Sequence, residues 1–173
     1  MRIGWGGRAG AALMFVAALA SAGAAFAQSK WTRWVGWKFG TTIAYPADLF
    51  SPLPEPDAHD GRTFVARDGA RIAAFGEFAG FRTIGQIHAA RVSGPDYGQV
   101  TYRARGKTWS VASGLRDREG GREVFYERSV VQPDGQAIHT VVIAYPESAH
   151  AIYDRLVARI VAPLDASRYA PPR

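Results

Sequence analysis

The sequence predicts an α+β protein in which a single antiparallel sheet of about seven strands, built from hairpins, is covered by two helices. Runs with a period of two are separated by short turn sequences, which is typical of antiparallel hairpins. The segments before Gly94 and before Pro163 instead repeat apolar residues at helical spacing. The longest pair of strand-like runs lies at 121–146, and long strands favour the centre of a sheet. We therefore expect this hairpin to be central.

The chain begins with the pattern of a secretory signal peptide, which we assign to residues 1–27. Basic residues precede an apolar stretch at 11–20, and 25–27 has the small-x-small pattern that a signal peptidase requires. We expect cleavage before Gln28 and a periplasmic or secreted protein. The alternative is a membrane anchor, but the stretch is rich in Ala and Gly and lacks a run of about 20 strongly apolar residues. No second segment is apolar enough to span a membrane after signal removal.

The composition narrows the class of partner. The absence of cysteine excludes disulfides and thiolate metal sites. The net charge of +6 comes from arginines scattered among acidic residues, without the dense basic run of a nucleic-acid-binding protein. We expect an envelope protein or a small ligand as partner, no nucleic acid and no cofactor. Residues 28–36 form a Trp-rich segment, 37–162 are expected to fold as a single domain, and 163–173 as a flexible tail.

The Trp-rich segment is the first candidate for partner binding. Three indoles recur at every third position among basic residues, namely Trp31, Trp34 and Trp37. They would form an aromatic platform for a ligand or partner, or they would cover an open edge of the core, which is the commoner use of such large apolar side chains. Alternation at 37–45 then predicts a first strand that ends at Pro46.

A loop rich in proline and acidic residues follows at 51–61. Its alternate prolines favour an extended path without hydrogen bonds of its own. Asp57, His59 and Asp60 offer oxygen and imidazole groups, so this loop is a candidate metal site. The spacing matches neither a zinc motif nor an EF-hand loop. The simpler interpretation is a polar loop that faces water.

Two more hairpins are predicted on either side of a helix. Asp68-Gly69 and Gly106-Lys107 supply their turns. The strand-like runs that these turns connect are 62–67, 71–78, 100–105 and 108–115.

The helix between these hairpins has clear limits in the sequence. Thr83 is a favoured N-cap residue, apolar residues follow at helical spacing, and Gly94-Pro95 ends the pattern. Gly76 and Gly80 interrupt the preceding strand, which indicates a bulge or a close approach of the backbone to another part of the chain.

Positive charge is concentrated around the turn at Gly106-Lys107. Arg103, Arg105 and Lys107 are therefore candidates for contact with an anionic partner. A solvated hairpin tip is the simpler interpretation.

The hairpin at 121–146 has a turn of favourable composition. Pro133 presets the first turn dihedral, and Gly135 accepts a positive φ. A helix at 147–162 follows, with its apolar residues on one stripe and Pro163 at its end.

A hydrolase or metal-dependent enzyme is the alternative to a binding protein. His139 and Glu127 lie on the central hairpin, and such a pair would serve as a base and its orienting carboxylate. A polar pair on the wet face of a sheet is the simpler interpretation. The second route to an enzyme uses the loop of Asp57, His59 and Asp60. Because no Gly-x-Ser-x-Gly nucleophile elbow is present, we assign no catalytic residue and favour a binding or assembly-accessory function.

Short motifs mark the ends of the first and last predicted strands, namely Tyr45-Pro46, Phe50 in the turn that follows, and Tyr145-Pro146. With hairpins between them and an amphipathic helix at the end, this order of elements resembles the PsbP/Mog1-like fold group over residues 37–162. Its best-known plant members are accessory proteins of the photosynthetic oxygen-evolving complex. The resemblance implies an accessory or binding role on an extracytoplasmic surface, and no binding residue of that group is carried over.

Overall fold

The computed structural model describes residues 29–94 and 97–170. The predicted signal peptide at 1–27 and its cleavage before Gln28 lie outside the described residues. From Trp31 onward the chain forms one compact unit of α+β class, which confirms the predicted fold class.

The main sheet has seven strands, namely β3 (Ser51–Pro52), β4 (Gly61–Val65), β5 (Arg71–Phe78), β6 (Gln99–Arg105), β7 (Trp109–Arg118), β8 (Gly121–Val131) and β9 (Ala137–Pro146). All are antiparallel to their neighbours, in the order β3-β4-β5-β9-β8-β7-β6. The predicted central hairpin is confirmed, because β9 lies in the middle of this order beside β8. Gly135 in its turn has a φ of +71°, the left-handed conformation that the sequence predicts.

A separate two-stranded sheet precedes the main one. It consists of β1 (Trp31–Val35) and β2 (Thr42–Pro46), which pair in antiparallel register. The predicted single strand at 37–45 is therefore wrong in its first part, where the chain turns. Gly36 donates a backbone hydrogen bond to Thr41 (2.9 Å), and Gly40 closes the turn with a φ of +67°.

The main core lies between one face of the sheet and the last helix, α2 (His150–Val161). Short 3₁₀ turns, Glu147–Ala149 and Ala162–Ala166, extend α2 at both ends, so the predicted helix at 147–162 is present. Strands β1 and β2 pack on the same cluster. Its fully buried members include Ile43, Phe50, Phe64, Ile72, Val141, Ile143, Ile160 and Leu164.

The segment after α2 is more ordered than the expected flexible tail at 163–173. Leu164 is fully buried in the main core, and the Ser167 hydroxyl accepts a hydrogen bond from the backbone N–H of Thr42 (2.9 Å). The expectation is therefore wrong for residues 164–169, because a buried leucine and satisfied backbone groups hold them on the sheet.

The other face of the sheet is covered by α1 (Ile84–Val92). Side chains alternate along β9, so that Ile138 points away from the main core and packs with Ile87 and Ala79. Thr83 caps α1 as predicted. We call the two sides of the sheet the α2 face and the α1 face.

Candidate functional site

An open cleft of about 620 Å³ lies at one end of the sheet. A volume of this size is in the range of small-molecule binding sites, roughly 300–1,000 Å³. Its rim exposes aromatic surface, since Trp37 is 71% exposed and Phe78 is 55% exposed. We call this site the aromatic cleft, and its principal lining residues are Trp37, Lys38, His59, Phe78 and Tyr169.

Packed aromatic rings form one side of the aromatic cleft. The buried ring of Phe39 lies 5.0 Å from Phe78 and 5.5 Å from Tyr169, and Phe78 meets Tyr169 edge to face at 5.5 Å. Phe39 itself rests directly on Gly76, where an added Cβ would lie 2.2 Å from the Cβ of Phe39. Gly76 thus allows the close approach that the sequence indicates. These contacts fix the position of the rings without any ligand.

The opposite side joins the turn after β1 to the proline-rich loop. The ring centroids of Trp37 and His59 are 5.4 Å apart, and the Lys38 ammonium donates a hydrogen bond to the carbonyl of Ala58 (2.9 Å). His59 has a φ of +53°, a left-handed conformation that costs roughly 1–2 kcal/mol in a residue with a Cβ. Its Nδ1 lies 3.4 Å from a carboxylate oxygen of Glu55.

Tyr169 is held in place by a side chain from the turn after β8. The amide of Gln132 donates to the carbonyl oxygen of Tyr169 (3.3 Å) and accepts from its backbone N–H. Gln132 is buried, and its Nε2 also donates to Asp134 (2.7 Å). The cleft is therefore formed before any ligand arrives.

Phe81 adds a second unusual aromatic group next to Phe78. It is fully exposed and has a φ of +62°, which is rare for a bulky side chain. Phe78, Phe81 and the turn at Asp134-Gly135 line a shallow depression of about 470 Å³. Strained backbone at an exposed aromatic residue is a feature of ligand-contacting segments.

The structure brings together only part of the predicted partner-binding set. Trp31 and Trp34 pack on the main core. The Arg159 guanidinium lies over the ring of Trp31 at 4.0 Å, and Trp34 meets Phe64 edge to face at 5.8 Å. The three tryptophans do not form one platform, and only Trp37 contributes to the cleft. The sequence analysis did not identify Phe78, Phe81 or Tyr169 as site residues. The only sequence signal near them was Gly80, which indicated an irregular backbone next to Phe81.

The hypothesised metal site is not assembled. Within residues 29–94 and 97–170, no group of three or more His, Asp and Glu side chains is placed to hold a metal ion. His59 is turned toward Trp37 and Glu55 rather than toward Asp57 and Asp60. The backbone carbonyl of Asp60 accepts a hydrogen bond from Gly76 (2.8 Å), which ties this end of the loop to β5.

The hypothesised pair of His139 and Glu127 is wrong. Val130 lies opposite His139 and Val142 lies opposite Glu127, so the two side chains occupy different faces of the sheet. His139 is fully buried on the α2 face, and its Nδ1 lies 3.0 Å from the Thr41 hydroxyl. It is therefore not a polar residue on a wet face either.

The electrostatic state of His139 follows from its surroundings. Burial and, secondarily, the positive charge of Arg168 lower its pKa to about 4, against a smaller opposing effect of Asp134. The ring is therefore neutral at pH 7. Its Nε2 makes no hydrogen bond with any described residue.

Glu127 belongs to a buried ionic network on the α1 face. The Arg91 guanidinium of α1 donates to Glu127 (3.0 Å) and to Glu77 (2.6 Å), and the Tyr97 hydroxyl also donates to Glu127. Burial alone would lower the pKa of Arg91, but the two carboxylates outweigh it and raise that pKa. Burial and Glu127 raise the pKa of Tyr97. This network fastens α1 to the sheet.

The predicted basic group lies on the outermost strand of the sheet. Arg103 and Arg105 are exposed on β6, and Lys107 is exposed in the turn that follows. Arg105 reaches over α1, where its Nη1 would lie 2.8 Å from a Cβ added at Gly85.

The architecture defines the chain as a protein of PsbP/Mog1-like fold, as the sequence predicts. It is similar to the crystal structure of the Ran-binding protein Mog1p of Saccharomyces cerevisiae, with a TM-score of 0.51 and 12% identity over 72% of this chain and 83% of that chain. A structure from Bacteroides thetaiotaomicron is also similar, with a TM-score of 0.41 and 19% identity over 69% of this chain and 42% of that one.

The comparisons of sequence found no match. No protein-family model matches the chain, and no curated protein does. Among the described residues, none of the helices has the length and apolar character needed to cross a membrane.

Proposed function

We propose that this protein is an exported, non-enzymatic binding or assembly-accessory protein, and that the aromatic cleft receives an apolar or aromatic group of an envelope protein. The observation that carries the proposal is the exposed aromatic rim of Trp37 and Phe78 around a preformed cleft of about 620 Å³. Exposed aromatic side chains of this kind are enriched where proteins bind one another.

The polar groups of the cleft support binding rather than proton transfer. Lys38 is engaged by the carbonyl of Ala58, and His59 lies against Trp37 and Glu55. These groups fix the walls of the cleft and leave its centre to the aromatic rings. Burial of an apolar or aromatic group in the cleft is favourable by about 25 cal/mol for each Å² of surface that is removed from water.

The fold offers a precedent. Mog1p, which is similar in fold to this chain, is a Ran-binding protein. A scaffold of this architecture is thus known to engage a protein partner. The precedent concerns the mode of action and not the identity of the partner.

The test is differential capture from envelope extract. The wild-type protein, with a tag inserted between Gln28 and Trp31, is compared with Trp37→Ala and Phe78→Ala. The matched control is Ile152→Ala, which removes an apolar side chain that is 38% exposed on α2, outside the cleft. We expect one protein to be captured by wild type and control and to be at least about tenfold depleted with both cleft variants.

Two results would overturn the proposal. Equal capture by wild type and both cleft variants would show that binding does not use the cleft. Native mass spectrometry that finds a small molecule in wild type, and not in Trp37→Ala, would replace the protein partner by a small ligand. The free energy of unfolding is expected to change by less than about 0.5 kcal/mol in Trp37→Ala, because that side chain is largely exposed. Phe78→Ala should cost about 1 kcal/mol, because it removes the ring contacts with Phe39 and Tyr169.

A separate experiment tests whether the protein is exported. Cell fractionation and N-terminal sequencing of the natural protein are expected to find it in the periplasm or the medium, beginning at Gln28. A chain that retains Met1 in the cytoplasm would contradict export while leaving the cleft experiment interpretable.

A further inference from the structure

The two edges of the main sheet differ in how well they are protected against the addition of another strand. At one edge β3 has only two residues, Ser51 and Pro52, and Pro54 and Pro56 follow at alternate positions. Proline has no backbone N–H and blocks the addition of another strand. This edge is therefore protected.

The opposite edge is formed by β6, which has seven residues and pairs only with β7. In an antiparallel pair about half of the backbone groups of an edge strand point away from its neighbour. Within the described part of the chain, no loop or helix forms backbone hydrogen bonds along this outer side. A register shift between Val100 and Tyr102 leaves residues 102–105 as the regular part of the edge.

The side chains at this edge are exposed and cationic. Tyr102 is 56% exposed, and the side chains of Arg103, Arg105 and Lys107 make no ion pair or hydrogen bond with any described residue. Their positive field acts on His88 of α1, whose pKa is lowered first by burial and then by Arg103 and Arg105.

The charge of the edge selects among strands that would pair with it. A second copy of β6 would bring arginines close to arginines, and like charges on neighbouring strands are destabilising. A segment with carboxylates would instead pair with the cations. Backbone hydrogen bonds would give such a segment affinity, and alternate side chains would give it specificity.

We propose that the outer edge of β6 binds an extended acidic segment of a partner protein by strand addition. Residues 102–105 supply the backbone groups, and Arg103, Arg105 and Lys107 bind the carboxylates. The edge shares no residue with the aromatic cleft, so Trp37→Ala is expected to leave this binding unchanged.

The first experiment separates strand addition from general attraction of charge. The purified full chain is titrated with a short synthetic peptide of alternating Glu and Thr, and with two versions N-methylated on one or the other alternate set of residues. An added strand uses the N–H groups of one set only. We expect one methylated peptide to bind at least about tenfold more weakly than the other. Equal affinities, or no binding of the unmodified peptide at low salt, would overturn the proposal.

The second experiment locates the site on the protein. Arg103→Glu combined with Lys107→Glu is expected to weaken binding of the unmodified peptide about tenfold or more, because repulsion replaces attraction at two positions. The matched control is Arg67→Glu combined with Arg155→Glu, which reverses two exposed charges away from β6 and so changes the net charge by the same amount. An equal loss in the control would overturn the proposal, since net charge would then account for the binding.

Discussion

The two faces of the sheet carry their helices by different chemistry. The α2 face buries a large apolar cluster around Phe64, Ile143 and Ile160. Among the described residues the apolar cluster under α1 is small, with Ala79, Ile87 and Ile138 as its buried members, and the helix is also fastened by the ion pairs of Arg91 with Glu127 and Glu77.

A second ionic group lies on the α1 face. Glu123 is buried there and accepts hydrogen bonds from Arg71 (2.8 Å) and Arg116. Apolar burial is non-directional and tolerates small shifts, whereas a buried charge depends on its partner. We therefore expect the α2 face to set the global stability and the α1 face to be sensitive to single polar changes.

The largest effect is expected on the α2 face. Phe64→Ala removes a fully buried ring that packs with Trp34 and Tyr45, and should lower the free energy of unfolding by about 3–5 kcal/mol. Denaturant unfolding measures this. Phe81→Ala is the matched control, because the same ring is removed from a fully exposed position. A loss below about 1 kcal/mol for Phe64→Ala would contradict the assignment of the main core.

The next effect tests the ionic network. Glu127→Ala leaves Arg91 with Glu77 alone and removes the acceptor of the Tyr97 hydroxyl, so the free energy of unfolding should fall by about 3 kcal/mol. Glu127→Gln keeps an acceptor oxygen and should cost less. Denaturant unfolding of both variants decides the matter. If Gln is as costly as Ala, the charge rather than the hydrogen bonds holds α1 on the sheet.

The contrast between the faces also explains what the sequence could predict. Turns such as Asp68-Gly69 are local, because the residues at the turn themselves adopt the required dihedrals, and they placed the hairpins correctly. The burial of Glu127 is not local. In an alternating strand a charged residue has the pattern of a solvent-facing position, and its partner Arg91 comes from a distant helix.

The aromatic cleft was only partly predictable for the same reason. Trp37 and His59 were each singled out by residue type, but their contact depends on the turn after β1. Tyr169 lies in a segment whose composition resembles a loose tail. Its order comes from Leu164 in the core and from the amide of Gln132, neither of which a local pattern reveals.

His139 provides a pH test of the α2 face. Burial and Arg168 lower its pKa to about 4 in the folded protein, against 6.5 as the usual value, while Asp134 opposes the shift and Thr41 contacts the ring. Between pH 4 and pH 6.5 the imidazole is therefore largely protonated in the unfolded chain and largely neutral in the folded protein. The contribution of His139 to the free energy of unfolding should therefore be constant above about pH 6.5 and about 2 kcal/mol lower at pH 5.

The measurement is denaturant unfolding at pH 7 and pH 5 for wild type and His139→Gln. The variant lacks the titrating ring, so its loss between the two pH values should be smaller by about 2 kcal/mol. Equal losses would show that the acid sensitivity comes from other groups, such as those of the α1 face.

The smallest effect concerns the start of α1. The Thr83 hydroxyl accepts from the backbone N–H of Gln86 (3.3 Å), and the Gln86 side chain accepts from the backbone N–H of Thr83 (2.8 Å). Thr83→Ala should lower stability by about 1 kcal/mol, and Thr83→Ser should restore most of it. Because few apolar contacts hold α1, the loss should appear as faster hydrogen exchange in α1 with unchanged exchange in α2. Faster exchange in both helices would mean that the two faces unfold as one unit, and the contrast between them would then concern chemistry alone and not local stability.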